Sequence, residues 1–294
     1  MKPFESGLAR SYLYVPAVAG DRLARAASRG ADAVIADLED SVPPSRKAEA
    51  LAAAVAWLRE PRDAVERWVR VNPGEKGLEE LTVLAPLRPD GFCLPKCAGS
   101  ADVERVAALI DDLQDPAQQR SATMLMPLVE TACGVLAAAQ IAASRRVIRL
   151  QIGEIDLAAD LGLALSDDGA ELGPVRNAVV VACAAAGILP PVGAVSPQIR
   201  DLAGFGRSTA ALRRAGFVGR AAIHPDQIRV IHDAYAVSTN ERDRAAGLVA
   251  QYEAALMAGS GVLVGDDGRM VDEAVIRTSR RTIALADAAE PRPR

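Results

Sequence analysis

Three carboxylates crowd together near the amino terminus, in the segment GADAVIADLEDSVPP at residues 30–44. Asp37, Glu39 and Asp40 directly follow the apolar, partly β-branched run 33–36, which is typical of a buried strand. Like charges this close raise one another's pKa and cost free energy unless a cation or hydrogen bonds compensate them. The segment therefore predicts an acidic cluster at the end of a strand, with cationic partners from elsewhere in the chain.

Other polar side chains end later apolar runs in the same way. They are Arg70, Asn72, Lys96, Glu130, Asp156 and His224. Arg70 and Asn72 are two positions apart and so lie on one face of their strand. Because the active sites of parallel barrels lie at the carboxyl ends of the strands, we expect these residues to share one site with the acidic cluster.

Glu130 and Asp156 are the candidate metal ligands. Both are carboxylates at the ends of neighbouring predicted strands. Hard oxygen ligands in this low number favour Mg²⁺, which keeps several waters and binds through one or two carboxylates plus substrate. The alternative is a salt bridge from these carboxylates to Arg70 or Lys96.

Short apolar runs alternate with alanine-rich helical stretches over the first 235 residues. We predict eight strands, at residues 12–16, 33–40, 67–73, 91–96, 123–130, 147–156, 191–197 and 220–225. Strand–helix alternation without repeated hairpin signals indicates βαβ units and a parallel sheet. The pattern favours an α/β fold of the (β/α)₈ TIM-barrel type for residues 1–235. A doubly wound open sheet is the alternative, although no Gly-x-Gly-x-x-Gly turn follows an early strand.

Residues 236–294 differ in character and form a predicted C-terminal extension of helix, hairpin and helix. Thr239 or Asn240 could cap the first helix, and Asp267-Gly268 is expected at the hairpin turn. The last helix is predicted over residues 273–287, before a disordered-looking tail, EPRPR. Since this extension is too small to fold alone, we expect it to pack on the barrel or on a neighbouring subunit.

Composition excludes several classes of protein. Half of the 294 residues are hydrophobic but only 3% are aromatic, which predicts an aliphatic core. The net charge is −4 and the basic residues are scattered, so we expect no nucleic-acid-binding face. No apolar run suits a signal peptide or a membrane span, and a soluble cytoplasmic protein is the default. The cysteines are expected to be small buried side chains in a reducing compartment: Cys93, Cys97, Cys133 and Cys183.

A set of motifs, taken in order, resembles that of one family. The motifs are RSYLYVP (10–16), DAVIADLEDSV (32–42), VRVNP (69–73), GFCLPK (91–96), MPLVETACGV (126–135), IGEIDLAADLG (152–162) and GRAAIHPDQI (219–228). They are similar to those of the HpcH/HpaI aldolase/citrate lyase family, and more narrowly of its citrate lyase β-subunit-like branch. The resemblance implies a (β/α)₈ barrel that binds Mg²⁺ and makes or breaks a C–C bond beside a thioester. It also implies a homo-oligomer, a trimer or hexamer, whose C-terminal segment reaches a neighbour's active site.

The resemblance also implies roles for individual residues. Arg70 resembles the ligand of a substrate carboxylate and of an oxyanion. Glu130 and Asp156 match the metal ligands, and Glu130 is also expected to face substrate. Asp37 resembles an acid near the metal that can hold metal-bound water. Asp272, in DDGRMVDEAV, resembles an acid or base that is supplied in trans.

Basic residues complete the implied site. Arg10, before the first strand, resembles an arginine that faces substrate or phosphate. Lys47 and Lys96 match motif lysines that could form ion pairs with the acidic cluster, and Lys96 is also expected to contact substrate. His224 and His232 are expected to be structural.

The expected function is that of a stand-alone Mg²⁺-dependent lyase. It would cleave or form a β-hydroxyacyl-CoA thioester such as malyl-CoA or citramalyl-CoA, with an acyl-CoA and an α-oxo acid on the other side of the reaction. An oxo acid offers Mg²⁺ a bidentate chelate, which suits a metal held by two protein carboxylates. The alternatives are a citrate lyase β subunit acting on an acyl carrier protein thioester, and a non-catalytic scaffold or binding subunit. Gly193 stands where many relatives carry aspartate, which bears on the substrate more than on the reaction.

Overall fold

A computed structural model of the chain describes residues 9–62, 64–114, 122–265 and 268–289. The chain divides into two compact units, the first of which is residues 9–235. The second comprises, among the described residues, 236–265 and 268–289. The predicted turn residue Asp267 and the predicted tail 290–294 lie outside the described residues.

The first unit is built on a parallel sheet of seven strands. They are β1 (Ser11–Pro16), β2 (Ala33–Asp37), β3 (Glu66–Arg70), β4 (Gly91–Leu94), β5 (Met124–Val129), β6 (Gln151–Ile152) and β7 (Arg220–Ala222). They pair in the order β6-β5-β4-β3-β2-β1-β7. The strands are almost entirely buried, which explains why β2, β4 and β5 are mostly continuous apolar runs rather than alternating ones.

Helices follow the strands and pack on the outer face of the sheet. They are α1 (Gly20–Ala26), α2 (Lys47–Arg59), α3 (Gly74–Leu84), α4 (Ser100–Leu113), α5 (Ala132–Leu136), α6 (Ala138–Ala142), α7 (Glu154–Leu161), α8 (Gly173–Ala186), α9 (Leu202–Ala215) and α10 (Asp226–Tyr235). Short 3₁₀ turns occupy residues 27–29, 44–46, 85–87 and 170–172. Within the described part of the chain, no helix combines the length and apolar character that crossing a bilayer requires.

The predicted strand at residues 191–197 is not a regular strand. Val192 forms a parallel bridge to Gln151 of β6, and Gly193 forms one to Arg220 of β7. Four backbone hydrogen bonds of 2.8–3.1 Å accompany these bridges. The fold is therefore α/β and TIM-barrel-like, with two bridging residues where the seventh of the eight predicted strands was expected.

The core of the first unit has two layers. Aliphatic side chains such as Leu81 and Ile110 fill the space between sheet and helices. Tyr12, Ile35 and Met126 pack together on the other face of the sheet. All four cysteines are free thiols, and three are buried as expected, whereas Cys133 is exposed.

The second unit is a helix, a hairpin and a helix. Its elements are α11 (Thr239–Met257), β8 (Leu263–Val264), β9 (Met270–Val271) and α12 (Glu273–Ala289). Tyr252, Val271 and Ile276 form its small core. The cap of α11 is Ser238 rather than Thr239 or Asn240, because Ser238 and Glu241 complete a reciprocal capping box.

Candidate active site at the carboxyl edge of the sheet

The carboxyl ends of β1, β2 and β3 are level with one another. Asp37, the last residue of β2, is in register with Pro16 of β1 and with Arg70 of β3. The side chain of Asp37 is only 2% exposed. The sheet register therefore brings a buried carboxylate and an arginine together, as the sequence predicted for the strand ends.

Arg70 is held on several sides. Its Nε and Nη2 donate to the two oxygens of Asp37 at 2.6 and 2.7 Å, and its Nη1 lies 2.9 Å from Glu39 Oε2. The guanidinium carbon lies 5.1 Å from the centre of the Tyr14 ring, in a cation–π contact. Burial favours the neutral form of Asp37, but the bonds from Arg70 and Ser41 outweigh it and lower the pKa of that carboxyl. Both charges are thus fixed in a bidentate pair.

Glu39 joins Arg70 to Lys96. Its carboxylate is 3% exposed, and Glu39 Oε1 lies 2.9 Å from Lys96 Nζ. Burial raises the pKa of Glu39 although both cations lower it. Neither oxygen receives a well-aligned hydrogen bond from the described residues, so these contacts are ion pairs without ideal hydrogen-bond geometry. Asp40 is half exposed, 3.7 Å from Lys96 and 3.9 Å from Arg70.

Glu130 follows β5 and is bound by the backbone of Lys96. The Lys96 N–H donates to Glu130 Oε1 at 2.6 Å, and Lys96 adopts a positive φ of 52°. A non-glycine residue in this left-handed region carries a conformational cost, which marks a position that the surrounding structure imposes. Lys96 therefore serves the site twice, through its ammonium at Glu39 and through its backbone at Glu130.

The carboxylate of Glu130 is unusually easy to protonate. Burial raises its pKa to about 7, and the negative charges of Glu39 and Asp156 act in the same direction. Gly153 approaches it closely, since a Cβ added there would lie 2.5 Å from Glu130 Oε2. Only glycine leaves room for the carboxylate at this point.

Asp156 lies in the first turn of α7, not at a strand end. The predicted strand 147–156 is reduced to Gln151–Ile152, and the helix begins at Glu154. Asp156 is exposed, yet close enough to raise the pKa of Glu130. Among the described residues, no group of three or more His, Cys, Asp or Glu side chains could hold a metal ion.

Lys47 contacts the backbone of the acid motif instead of its carboxylates. Its Nζ donates to the carbonyls of Leu38 and Glu39 at 2.7 and 2.8 Å, and to Asn72 Oδ1 at 2.7 Å. The predicted ion pair with the acidic cluster is therefore replaced by a carbonyl-binding role. A lysine ammonium has three N–H donors, and these contacts occupy all of them.

Arg10 is not brought into this site. It precedes β1, at the amino edge of the sheet, where its backbone N–H and its Nε donate to Asp32 Oδ2 at 2.8 and 3.2 Å. His232 lies beside the same carboxylate, with Nε2 2.8 Å from Ser11 Oγ. A parallel strand separates this edge from the carboxyl edge, so the expected substrate contact of Arg10 does not agree with its position.

Asp272 caps a helix of the second unit. Its Oδ1 accepts hydrogen bonds from the N–H groups of Ala274 and Val275 at 2.9 and 3.1 Å. Among the described residues no hydrogen bond reaches its Oδ2. His224 also starts a helix, because its Nδ1 accepts the Asp226 N–H at 3.2 Å.

Two partners of the site were not predicted. Ser41 donates its hydroxyl to Asp37 Oδ2, and Tyr14 presents its ring to Arg70 while its hydroxyl donates to Gln151 at 2.9 Å. Tyr12 and Tyr14 stand two apart in an aliphatic strand, so both face one side. That spacing is the signal that could have placed Tyr14 beneath the site.

A basic groove of about 420 Å³ opens beside α1 and the carboxyl ends of β1 and β7. Arg22, Arg25 and Arg29 line it from one side and His224 from the other. The three arginines are exposed and follow helical spacing, so they share one face. The groove suits an anionic ligand of more than one charge.

The chain is similar in sequence to known proteins over nearly its whole length. The family model of the HpcH/HpaI aldolase/citrate lyase family matches residues 10–225. A (3S)-malyl-CoA thioesterase of Cereibacter sphaeroides is 35% identical over 283 residues, with 95% of each chain covered. The citrate lyase subunit beta of Leuconostoc mesenteroides subsp. cremoris is 31% identical, covering 96% of this chain and 94% of that protein.

Solved structures are also similar to this chain. The crystal structure of the protein CitE from Mycobacterium tuberculosis, in complex with magnesium, acetoacetate and coenzyme A, has a TM-score of 0.77 and 30% identity, covering 95% of this chain and 98% of that one. The citrate lyase beta subunit complexed with oxaloacetate and magnesium, from the same organism, has a TM-score of 0.67 and 31% identity over 80% of this chain and 99% of that one. Fold, motifs and identity agree, and the chain belongs to the HpcH/HpaI aldolase/citrate lyase family.

Proposed function

We propose that this protein is a Mg²⁺-dependent C–C lyase. It would cleave a β-hydroxyacyl-CoA thioester, such as malyl-CoA or citramalyl-CoA, into an acyl-CoA and an α-oxo acid, or catalyse the reverse reaction. The observation that carries the proposal is the excess of acid at the carboxyl edge, where five carboxylates meet two cations. They are Asp37, Glu39, Asp40, Glu130 and Asp156 against Arg70 and Lys96. A divalent cation beside Glu130 would offset two of these three excess negative charges.

Glu130 and Asp156 are the residues that would hold Mg²⁺. Both offer carboxylate oxygens, and two protein ligands leave coordination positions for water and for a chelating oxo acid. Gly153 fits this assignment because it keeps other side chains away from Glu130 Oε2. When bound, the metal would polarise the carbonyl oxygen of the oxo acid. The related CitE structures that contain magnesium with acetoacetate or oxaloacetate support the choice of ion and of ligand class.

Arg70 is the group that binds developing negative charge. Within the described residues, Asp37 accepts from two of its five N–H donors and Glu39 lies 2.9 Å from the nitrogen of a third, which leaves two for substrate. These two can bind the substrate carboxylate or the enolate oxygen of the thioester. Because Asp37 and Glu39 already fix the guanidinium, it need not reorganise during the reaction, and such preorganised charge is usually the largest catalytic effect.

The basic groove is the proposed place for the phosphates of CoA. Arg22, Arg25 and Arg29 offer three positive charges on one face, beside the carboxyl ends of β1 and β7. The related CitE structure that contains coenzyme A supports this choice of ligand. The variant Arg22→Gln/Arg25→Gln should raise the KM for the CoA thioester at least about tenfold while kcat changes less, since the arginines are remote from the reacting bond.

The sheet is proposed to close into a complete (β/α)₈ barrel. The two bridges of Val192 and Gly193, one to β6 and one to β7, support closure with residues 191–194 in place of the seventh predicted strand. In a closed barrel, Asp156 in the first turn of α7 would lie at the same rim as Asp37.

Asp272 is proposed to act in trans, in a homo-oligomer that is a trimer or a hexamer. Its Oδ1 caps α12, and its Oδ2 accepts no hydrogen bond from the described residues, which leaves an oxygen for proton transfer. We also propose the cytoplasm as the compartment, since four free thiols suit a reducing environment.

The test is a screen of thioester substrates with Mg²⁺. Malyl-CoA, citramalyl-CoA and hydroxymethylglutaryl-CoA are incubated with the protein, and acyl-CoA, oxo acid, hydroxy acid and free CoA are measured. Release of an oxo acid with acetyl-CoA, abolished by EDTA, is the expected result. Absence of C–C cleavage with every thioester, including an acyl carrier protein thioester, would refute the lyase assignment.

Thioester hydrolysis is a second candidate, favoured by the name of the malyl-CoA thioesterase relatives. The same screen separates the two reactions. Hydrolysis releases free CoA and the intact hydroxy acid, whereas the lyase releases an oxo acid. Cleavage of the carrier-protein thioester alone would favour the citrate lyase β subunit, which the citrate lyase relatives suggest.

A further inference from the structure

A buried polar chain runs behind the acid motif and ends on α3. Asn72, just after β3, donates from Nδ2 to Glu80 Oε1 at 2.6 Å and from its backbone N–H to Glu80 Oε2 at 2.8 Å. Both oxygens of Glu80 are therefore used on one residue. Glu80 is only 1% exposed, and burial raises its pKa. Burying an ionised carboxylate lowers the stability of the fold unless hydrogen bonds compensate for the lost hydration, as those from Asn72 do here.

A glycine lets α3 come close enough for this contact. A Cβ at Gly77 would lie 1.9 Å from the carbonyl oxygen of Asn72, so no other residue fits. Glu80 stands one turn further along α3, directed at the same residue. Helix α3 thus contacts the end of β3 at two positions, Gly77 and Glu80. Both contacts are made to Asn72.

The amide of Asn72 can take only one orientation. Its Oδ1 accepts from the ammonium of Lys47, and its Nδ2 donates to the carboxylate of Glu80 and to the carbonyl of Leu38 at 2.9 Å. Reversing the amide would turn a donor toward an ammonium and an acceptor toward a carboxylate. The two opposite charges therefore lock the amide from its two ends.

The far end of the chain is the backbone of the acid motif. The Leu38 carbonyl accepts from both Asn72 and Lys47, and the Glu39 carbonyl accepts from Lys47. The Glu39 side chain, in turn, lies between Arg70 and Lys96. Apart from the bond between the Asn72 amide and the Leu38 carbonyl, every link is a hydrogen bond to a charged group or an ion pair, and these are stronger than neutral contacts.

From these contacts we infer that Glu80 is a positioning residue for the reaction. It acts through Asn72 and Lys47 to hold residues 38–39, so that Glu39 stays between Arg70 and Lys96. Glu80 itself touches neither substrate nor metal. The inference rests on the proposed lyase function for its kinetic consequence, but its structural consequence can be measured without any substrate.

The test compares Glu80→Gln with Glu79→Gln. Glutamine keeps the shape of Glu80 but turns an amide toward one of the two N–H donors of Asn72. Glu79 is the matched control because it is exposed on the same helix and its carboxylate forms an exposed pair with Lys76 at 3.3 Å. Hydrogen–deuterium exchange of peptides that cover residues 38–42 is the first readout, and kcat and KM for the thioester are the second.

The expected result is specific to Glu80→Gln. Exchange at residues 38–42 should accelerate, and kcat should fall at least about tenfold with KM little changed, because Glu39 is then held less firmly between Arg70 and Lys96. Glu79→Gln should behave as wild type in both readouts. Unchanged exchange at residues 38–42 would overturn the inference, and so would acceleration over the whole first unit, which would make Glu80 merely structural. If wild type cleaves no thioester, the lyase proposal fails, while the exchange result still decides the positioning role.

Discussion

At the scale of single residues, the site is organised around the arginine that ends β3. Asp37 takes two donors of Arg70, Glu39 takes a third, and Tyr14 lies under the guanidinium. A planar fork can serve these partners at once, whereas an ammonium is a single point charge. The identity of the cation therefore matters as much as its sign.

Arg70→Lys is predicted to be strongly impaired. Lysine keeps the charge but cannot bind Asp37 bidentately and still reach Glu39 and substrate. We expect kcat/KM to fall at least about tenfold, since one charge-assisted hydrogen bond contributes roughly 1.5–3 kcal/mol. Steady-state kinetics check this, with Arg105→Lys as control because Arg105 forms an exposed pair with Glu75. Wild-type kinetics in Arg70→Lys would place Arg70 outside the site.

At the scale of elements, the amino edge of the sheet has its own polar cluster. Asp32 Oδ2 accepts from Arg10 and lies 3.4 Å from His232 Nε2, and the Asp32 N–H donates to Ser11 Oγ at 2.9 Å. The cluster joins the starts of β1 and β2 to α10. Burial works against ionisation of Asp32, but His232 and Arg10 outweigh it and lower its pKa to about 2.

This cluster predicts a defined loss of stability in acid. The folded pKa of Asp32 lies below its ordinary value of 3.8, so the ionised form contributes stability above that pH, and the contribution disappears as pH falls toward 2. Asp32→Asn should lower the free energy of unfolding by about 2 kcal/mol at pH 6, and by much less at pH 2.5. Urea titrations at both pH values measure this, with the exposed Asp112→Asn as control. An equal loss at both pH values would show that the charge of Asp32 is not responsible.

Much of the fold could be predicted from the sequence because its strands are buried on both faces. Continuous apolar runs followed by polar residues located β1 to β7. The run at residues 191–197 failed as a strand because Pro190 and Pro191 lack backbone donors and Gly193 has no side chain to pack. Asp156 was placed on a strand because the apolar pattern continues through Ile155, although Gly153 ends the strand earlier.

Site residues that end a strand could be predicted from the sequence. Site residues whose side chains form hydrogen bonds with backbone groups could not. Asp37 and Arg70 were expected together because neighbouring parallel strands end at one edge. The sequence predicted that Lys47 forms an ion pair, yet it donates to backbone carbonyls. Every residue has a backbone carbonyl, so the sequence does not show which carbonyls a lysine contacts. Glu80 stood out in no motif, since its role depends on the close approach of α3 that Gly77 permits.

At the scale of the whole molecule, the second unit has a core of few residues. Tyr252, Val271 and Ile276 are its buried centre, and Met257 and Met270 are exposed hydrophobics of the same unit. Apolar side chains left in water favour association, and closed symmetric oligomers cover them with a second copy of the same chain. This supports the proposal of a homo-oligomer.

Sharing of Asp272 between subunits predicts complementation. Asp272→Asn keeps a side chain that can cap α12 but loses the carboxylate, and Glu130→Gln loses a proposed metal ligand. Each variant alone should be inactive. Chains mixed under conditions that exchange subunits should regain activity, because some sites then take Glu130 from one chain and Asp272 from the other. If subunit exchange is demonstrated and no activity returns, Asp272 does not act in trans.

The central claim is that Glu130 and Asp156 hold the Mg²⁺ on which the reaction depends. Calorimetric titration of Mg²⁺ into wild type and into Glu130→Gln at pH 8, where Glu130 is ionised, tests it most directly. We predict one binding site per chain in the wild type. In Glu130→Gln the affinity should fall at least about 100-fold, because a ligand is lost, while circular dichroism shows the fold retained. Equal Mg²⁺ affinity in the two proteins would contradict the account.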